Sequence, residues 1–129
     1  MSPPTILYQS IIRRADLRAN PQATYIFGDN LAKIGYGGQA KEMRGEPNAF
    51  GIPTKQDPAT CFSNDFSTVW KMAGYWVRQM DELKIKPIIV FPYDGIGTGL
   101  SAMPTECPDL FRSLNMILEN YLGIRNLRY

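Results

Sequence analysis

Twice in this chain a short β-type apolar run breaks into a glycine-rich turn and resumes as helix. The first case is Tyr25-Ile26-Phe27 followed by Gly28-Asp29-Asn30 and then Gly35-Tyr36-Gly37-Gly38-Gln39-Ala40. The second is Ile88-Ile89-Val90-Phe91 followed by Asp94-Gly95-Ile96-Gly97-Thr98-Gly99-Leu100-Ser101. A strand, a glycine turn and a helix start together make an anion site, because backbone N–H groups point outward and the helix dipole favours negative charge. Two such turns in one small domain suggest a single ligand with two phosphates, or a phosphate and a ribose held between two loops.

The rest of the chain supports an α/β reading. Residues 5–12 and 24–28 read as strands, and 48–54 as a third bracketed by Pro47 and Pro53. Residues 87–92 are fully apolar, as a buried central strand would be. Gly37 and Gly38 open a short helix to about Arg44. The clearest helix is 64–84, with Asn64 as its N-cap and Phe66, Val69, Trp70, Ala73, Trp76, Val77, Met80 and Leu83 at helical spacing. The Trp70, Trp76 and Met80 stripe is read as core. A last helix over 108–121 turns Leu110, Phe111, Leu114, Ile117, Leu118 and Tyr121 inward, and Gly123 ends it. Ile124 to Tyr129 could return as an edge strand. Alternation of strands and helices predicts a three-layer α/β/α domain around a mixed or parallel sheet, with ligands at the carboxyl ends of the strands.

Composition narrows the chemistry. A length of 129 residues predicts one domain, residues 1–129, with no metal or disulfide staple required. No run approaches the roughly 20 apolar residues of a membrane span. The start, Met1-Ser2-Pro3-Pro4, lacks a signal pattern, and two cysteines make no disulfide framework, so a reducing cytoplasm is expected. Cys61 and Cys107 are read as inert. A net charge of +2 is too weak to argue for nucleic acid. The absence of histidine removes Ser-His-Asp and Cys-His catalysis and His-ligated zinc. Proton transfer must then use Asp, Glu, Lys, Tyr, Cys, backbone or water. Glu42 reads as solvated, Asp29 as a turn or strand-end cap, and Asp94 as either a turn-former or a functional acid.

Over roughly residues 15–120 the chain resembles the macrodomain family, the α/β/α module that binds ADP-ribose. Ala15-Asp16-Leu17 stands for the family's first Gly-Asp-Ile-type turn, and Phe27-Gly28-Asp29-Asn30-Leu31 for its Asn-bearing strand end. Gly35 to Ala40 is similar to its glycine run, and Phe91-Pro92 with Gly97-Thr98-Gly99-Leu100 to its second turn. The resemblance implies that Asp16 and its neighbour Leu17 meet the adenine and that Asn30, beside Asp29, meets the distal ribose. It implies that Gly35, Gly37, Gly38 and Gln39 admit the ribose and diphosphate, with Tyr36 packing on the distal ribose. Gly95, Ile96, Gly97, Thr98, Gly99, Leu100 and Ser101 would wrap the diphosphate. One branch removes ADP-ribose from glutamate with a lysine in an Ile-Thr-Lys stretch, which Ile52-Pro53-Thr54-Lys55 resembles. That branch carries an aspartate where this chain has Ser101, and Asp94 is the nearby candidate to replace it. The expected function is therefore ADP-ribose binding with hydrolysis of ADP-ribosyl linkages by Lys55, Asn30 and Asp94, or binding without turnover. The expected partners are ADP-ribose or an ADP-ribosylated macromolecule, with nucleic acid entering only as such a substrate. The expected form is a monomer with no cofactor and no metal.

Overall fold

A computed structural model of the chain describes residues 2–126. Four strands form one sheet: β1 (Thr5–Gln9), β2 (Ala23–Asn30), β3 (Ala49–Lys55) and β4 (Ile88–Pro92). Their spatial order is β1-β4-β2-β3, and every pairing is parallel. Of the mixed or parallel sheet expected, the described strands form the parallel one, and no pairing among them is antiparallel. Each return to the sheet crosses over through helix, so no strand runs backward. The edge strand expected over Ile124 to Tyr129 does not form over residues 124–126, and 127–129 lie outside the described residues.

Side-chain alternation along the strands divides the core in two. Ile26, Ile52, Ile89 and Phe91 face α3 (Phe66–Leu83) and α5 (Pro108–Leu122), with α4 (Met103–Glu106) between β4 and α5. Tyr25, Phe27 and Val90 face α1 (Arg14–Ala19) and α2 (Ala40–Met43) through Leu17, Ala40 and Met43. The strand expected over 5–12 stops at Gln9, because Arg14–Ala19 already winds as α1. That helix buries only Leu17, which leaves too little apolar periodicity to announce it.

Helix α3 sits rotated from its expected face. Met72, Trp76, Met80 and Leu83 are buried, whereas Phe66 and Trp70 are 82% and 75% exposed. At about 100° per residue, those two lie roughly a quarter turn or more round from the buried line. They stack on each other instead, ring centroids 6.3 Å apart. The N-cap is Asp65, which accepts from Thr68 N at 2.8 Å, and not Asn64. Asn64 is engaged elsewhere, accepting from Asp109 N at 2.9 Å and so tying the start of α3 to the start of α5. Tyr121 also differs from expectation. It lies in the last turn of α5, ahead of the left-handed Gly123 cap, and stays half exposed. On edge strand β3 the carbonyls of Gly51 and Pro53 accept from Gln79 Nε2 (2.9 Å) and Trp76 Nε1 (3.1 Å) of α3.

Candidate functional site

The sheet splits at its carboxyl end. β2 and β4 pair only from Ala23↔Ile88 to Tyr25↔Val90. Beyond that, β4 stays with β1 through Tyr8↔Phe91 and Gln9↔Pro92, and β2 stays with β3 through Asn30↔Lys55. Both glycine turns rise from this fork, and a cavity of about 330 Å³ lies between them. That size falls at the lower end for small-molecule sites. At its base a Cβ on Gly28 would sit 3.5 Å from Ile96 Cβ. At its rim Leu100 Cδ1 comes within 3.3 Å of where Gly37 would carry a Cβ. The two loops therefore touch below and above the space they enclose.

The first bank is held by side chains turned onto its own backbone. Gln39 Oε1 accepts from Gly28 N at 2.9 Å. Asn30 Nδ2 donates to Ile34 O at 2.8 Å, which lets Lys33 take a left-handed turn at φ +58°. Arg44 anchors the same loop, donating from Nε to Gly35 O (2.7 Å) and from Nη2 to Ile34 O (3.3 Å). Its guanidinium also binds the Asp29 carboxylate and lies 5.7 Å above the Phe27 ring. The Asp29 and Arg44 side chains are only 6% and 15% exposed. Their charges cancel inside the wall, as a buried pair requires. Tyr36, by contrast, projects at the mouth, 66% exposed.

The second bank presents backbone. Gly95 and Gly97 both take φ +83°, which favours glycine. Met103 N donates to Gly97 O at 2.8 Å, and Thr98 Oγ1 to Asp94 O at 3.2 Å. Among the described residues, the N–H groups of Gly97, Thr98, Gly99, Leu100 and Ser101 donate to no protein acceptor. The same holds for Gly35 to Gln39 on the first bank. Unpaired N–H groups at loops of this kind are the donors of an anion nest.

Of the residues expected at the site, Asp29, Asn30, Gly35 to Gln39, Lys55 and Asp94 to Ser101 line the cavity. Lys55 Nζ donates to Pro58 O at 2.8 Å, closing a turn along the wall. Asp16 and Leu17 do not line it. Asp16 accepts from Arg13 N (2.8 Å) and Gln9 Nε2 (3.0 Å), and Leu17 is fully buried under β2. Arg44 and Thr54 line the cavity too, and the sequence reading passed over both. Arg44 falls after the helix signal, and only the fold brings it back to Asp29.

Beside the second loop, Cys61 Sγ approaches Ser101 O at 3.8 Å. Burial pushes the Cys107 thiol up to about 11, with the nearby Cys61 and Glu106 adding to the shift. Among the described residues no group of three or more His, Cys, Asp or Glu is placed to hold a metal ion, and no helix is long and apolar enough to cross a membrane. No curated protein and no solved structure matches the chain. A family model does, over residues 7–117, which takes in both glycine loops: the chain belongs to the family of unknown function DUF7831.

Proposed function

We propose that the forked cleft binds ADP-ribose or a related nucleotide diphosphate, and that the protein is a macrodomain-like module. One observation carries this reading. Five consecutive residues, Gly97 to Ser101, and a second run, Gly35 to Gln39, line opposite banks of a cavity of about 330 Å³, and their N–H groups donate to no acceptor among the described residues. The charged side chains in the walls offset each other: Arg44 and Lys55 against Asp29 and Asp94. Attraction for a diphosphate then falls to fixed peptide dipoles, which need no reorganisation on binding. Tyr36 offers an exposed ring to a sugar at the mouth. The adenine contact of Asp16 rests on the resemblance alone, since Asp16 lies outside the cavity.

Hydrolysis of an ADP-ribosyl linkage is the second reading, favoured by the place of Lys55 on the cavity wall. Its amine would have to leave Pro58 O and give a proton to solvent before attacking the C1″ carbon of the distal ribose, which breaks the bond to the carrier and expels the carrier's oxygen; water would then release the ribose from Lys55. Asn30 and Lys55 both serve as staples of their own turns. Binding is accordingly the activity that the geometry supports best.

Calorimetric titration separates these readings. ADP-ribose should bind in the micromolar range, at least about tenfold tighter than AMP, which lacks the second phosphate. Gly99 has open space around it, so Gly99→Asp should fold normally and lose ADP-ribose through charge repulsion. Equal affinity of the Gly99→Asp protein and the wild type would remove the second loop from the site. Lys55→Ala should keep binding, and any turnover of ADP-ribosylated substrate should vanish with it.

A further inference from the structure

The second glycine loop is held from outside by one buried side chain. Asn126, which is 4% exposed, follows α5 and returns to the sheet's carboxyl end. Its Oδ1 accepts from Ile96 N at 2.8 Å, and its Nδ2 donates to Ile96 O at 2.9 Å. Nδ2 also donates to Asn115 Oδ1 at 2.7 Å, which fixes the orientation of the carboxamide. A carboxamide that meets both the N–H and the C=O of one residue imitates the pairing of a neighbouring strand. The peptide plane that carries Ile96 O also carries Gly97 N–H, so holding that carbonyl fixes the direction of the first donor in the run.

We propose that Asn126 is the positioning residue of the anion loop. By fixing both polar groups of Ile96, it aims the N–H groups of Gly97 to Ser101 into the cavity before a diphosphate arrives. This rests on the diphosphate reading of the cleft. Asn126 touches no ligand, and its effect is preorganisation, which raises affinity by removing an ordering cost from the binding step. Nothing in the local sequence around Gly95 supplies that clamp. It comes from 30 residues downstream.

The test uses inorganic pyrophosphate and ADP-ribose with the whole chain, reading heat and the backbone amide resonances. In the wild type, the Ile96 amide should already exchange slowly without ligand, and the Gly97 to Ser101 amides should shift on adding pyrophosphate. Asn126→Ala, titrated well below its melting temperature, should weaken both ligands about tenfold, the scale of losing net hydrogen bonds that order the loop. Asn115→Ala keeps both contacts to Ile96 and should bind within about threefold of wild type. A merely structural role would lower the melting temperature of Asn126→Ala and leave affinity of the folded protein unchanged, and that result overturns the proposal. Should Asn126→Ala not fold, fast exchange of the wild-type Ile96 amide overturns it as well. If pyrophosphate shifts the loop amides and ADP-ribose does not bind, the nucleotide reading fails and the clamp stands. If neither ligand shifts them, both fall.

Discussion

Gly97 carries two constraints at once. Its φ is +83°, and an added Cβ would lie 2.8 Å from Met103 Sδ and 3.3 Å from Phe111. Gly97→Ala should therefore cost roughly 2 kcal/mol, from left-handed strain plus displacement of Met103. Denaturant unfolding measures it, with Gly99→Ala as the near-neutral comparison because nothing lies within 4 Å there. Arg44 offers a second test. Arg44→Met leaves the Asp29 carboxylate buried without its guanidinium and frees the carbonyls of Ile34 and Gly35. The expected loss is about 3 kcal/mol, again read by denaturant, with ligand affinity falling beyond the stability effect. At this scale the sequence discloses the glycines and not their supports. Glycine announces a backbone need locally, whereas Arg44 and Asn126 act on partners 10 and 30 residues away. No spacing rule connects those.

Helix α3 shows how periodicity can give the right element and the wrong face. The apolar spacing from Phe66 to Leu83 is helical on either reading. Only the tertiary contacts choose Met72 and Trp76 over Phe66 and Trp70. Trp76 is fully buried and donates to Pro53 O, so Trp76→Ala should cost about 4 kcal/mol. Trp70→Ala should change stability by less than about 0.5 kcal/mol, since the ring is 75% exposed. Comparing the two by thermal melting checks the rotation directly. Strands β2, β3 and β4 were legible because their apolar runs end in proline or glycine. Helices α1 and α4 were not, because each buries a single side chain, Leu17 and Met103, and no glycine run announces it as one announces the four-residue α2.

The parallel sheet and its fork belong to the whole molecule, where strand order decides what the ends of β2 and β4 can enclose. Sequence alternation implied the layers; the order β1-β4-β2-β3 needed the structure. Charge contributes at this scale too. Hydrogen bonds from Arg14, then Arg18, hold the Glu46 carboxyl below its ordinary 4.5, and the Arg14 N–H does the same for Glu42. The Thr68 N–H holds Asp65 down. A folded value below the unfolded one stabilises above the unfolded value and is lost as pH falls through the folded one. Melting temperature should thus stay level from neutral pH to about 5 and decline below it, modestly because Asp65 is exposed and the Glu42 and Glu46 pairs lie at a surface where solvent screens them. Cys107 runs the other way: its raised value favours the fold below pH 9, a contribution lost as pH climbs from 9 to about 11. At pH 8 a disulfide reagent should modify Cys61 in the native protein and reach Cys107 only after unfolding. The bonds from α3 to β3 have a further consequence. The carbonyls of Gly51 and Pro53 are the acceptors an incoming extended peptide would need, and Pro53 offers it no donor. That flank resists strand addition, which leaves Thr5–Gln9, at the opposite margin of the sheet among the described residues, as the edge an extended peptide would pair with on the folded protein.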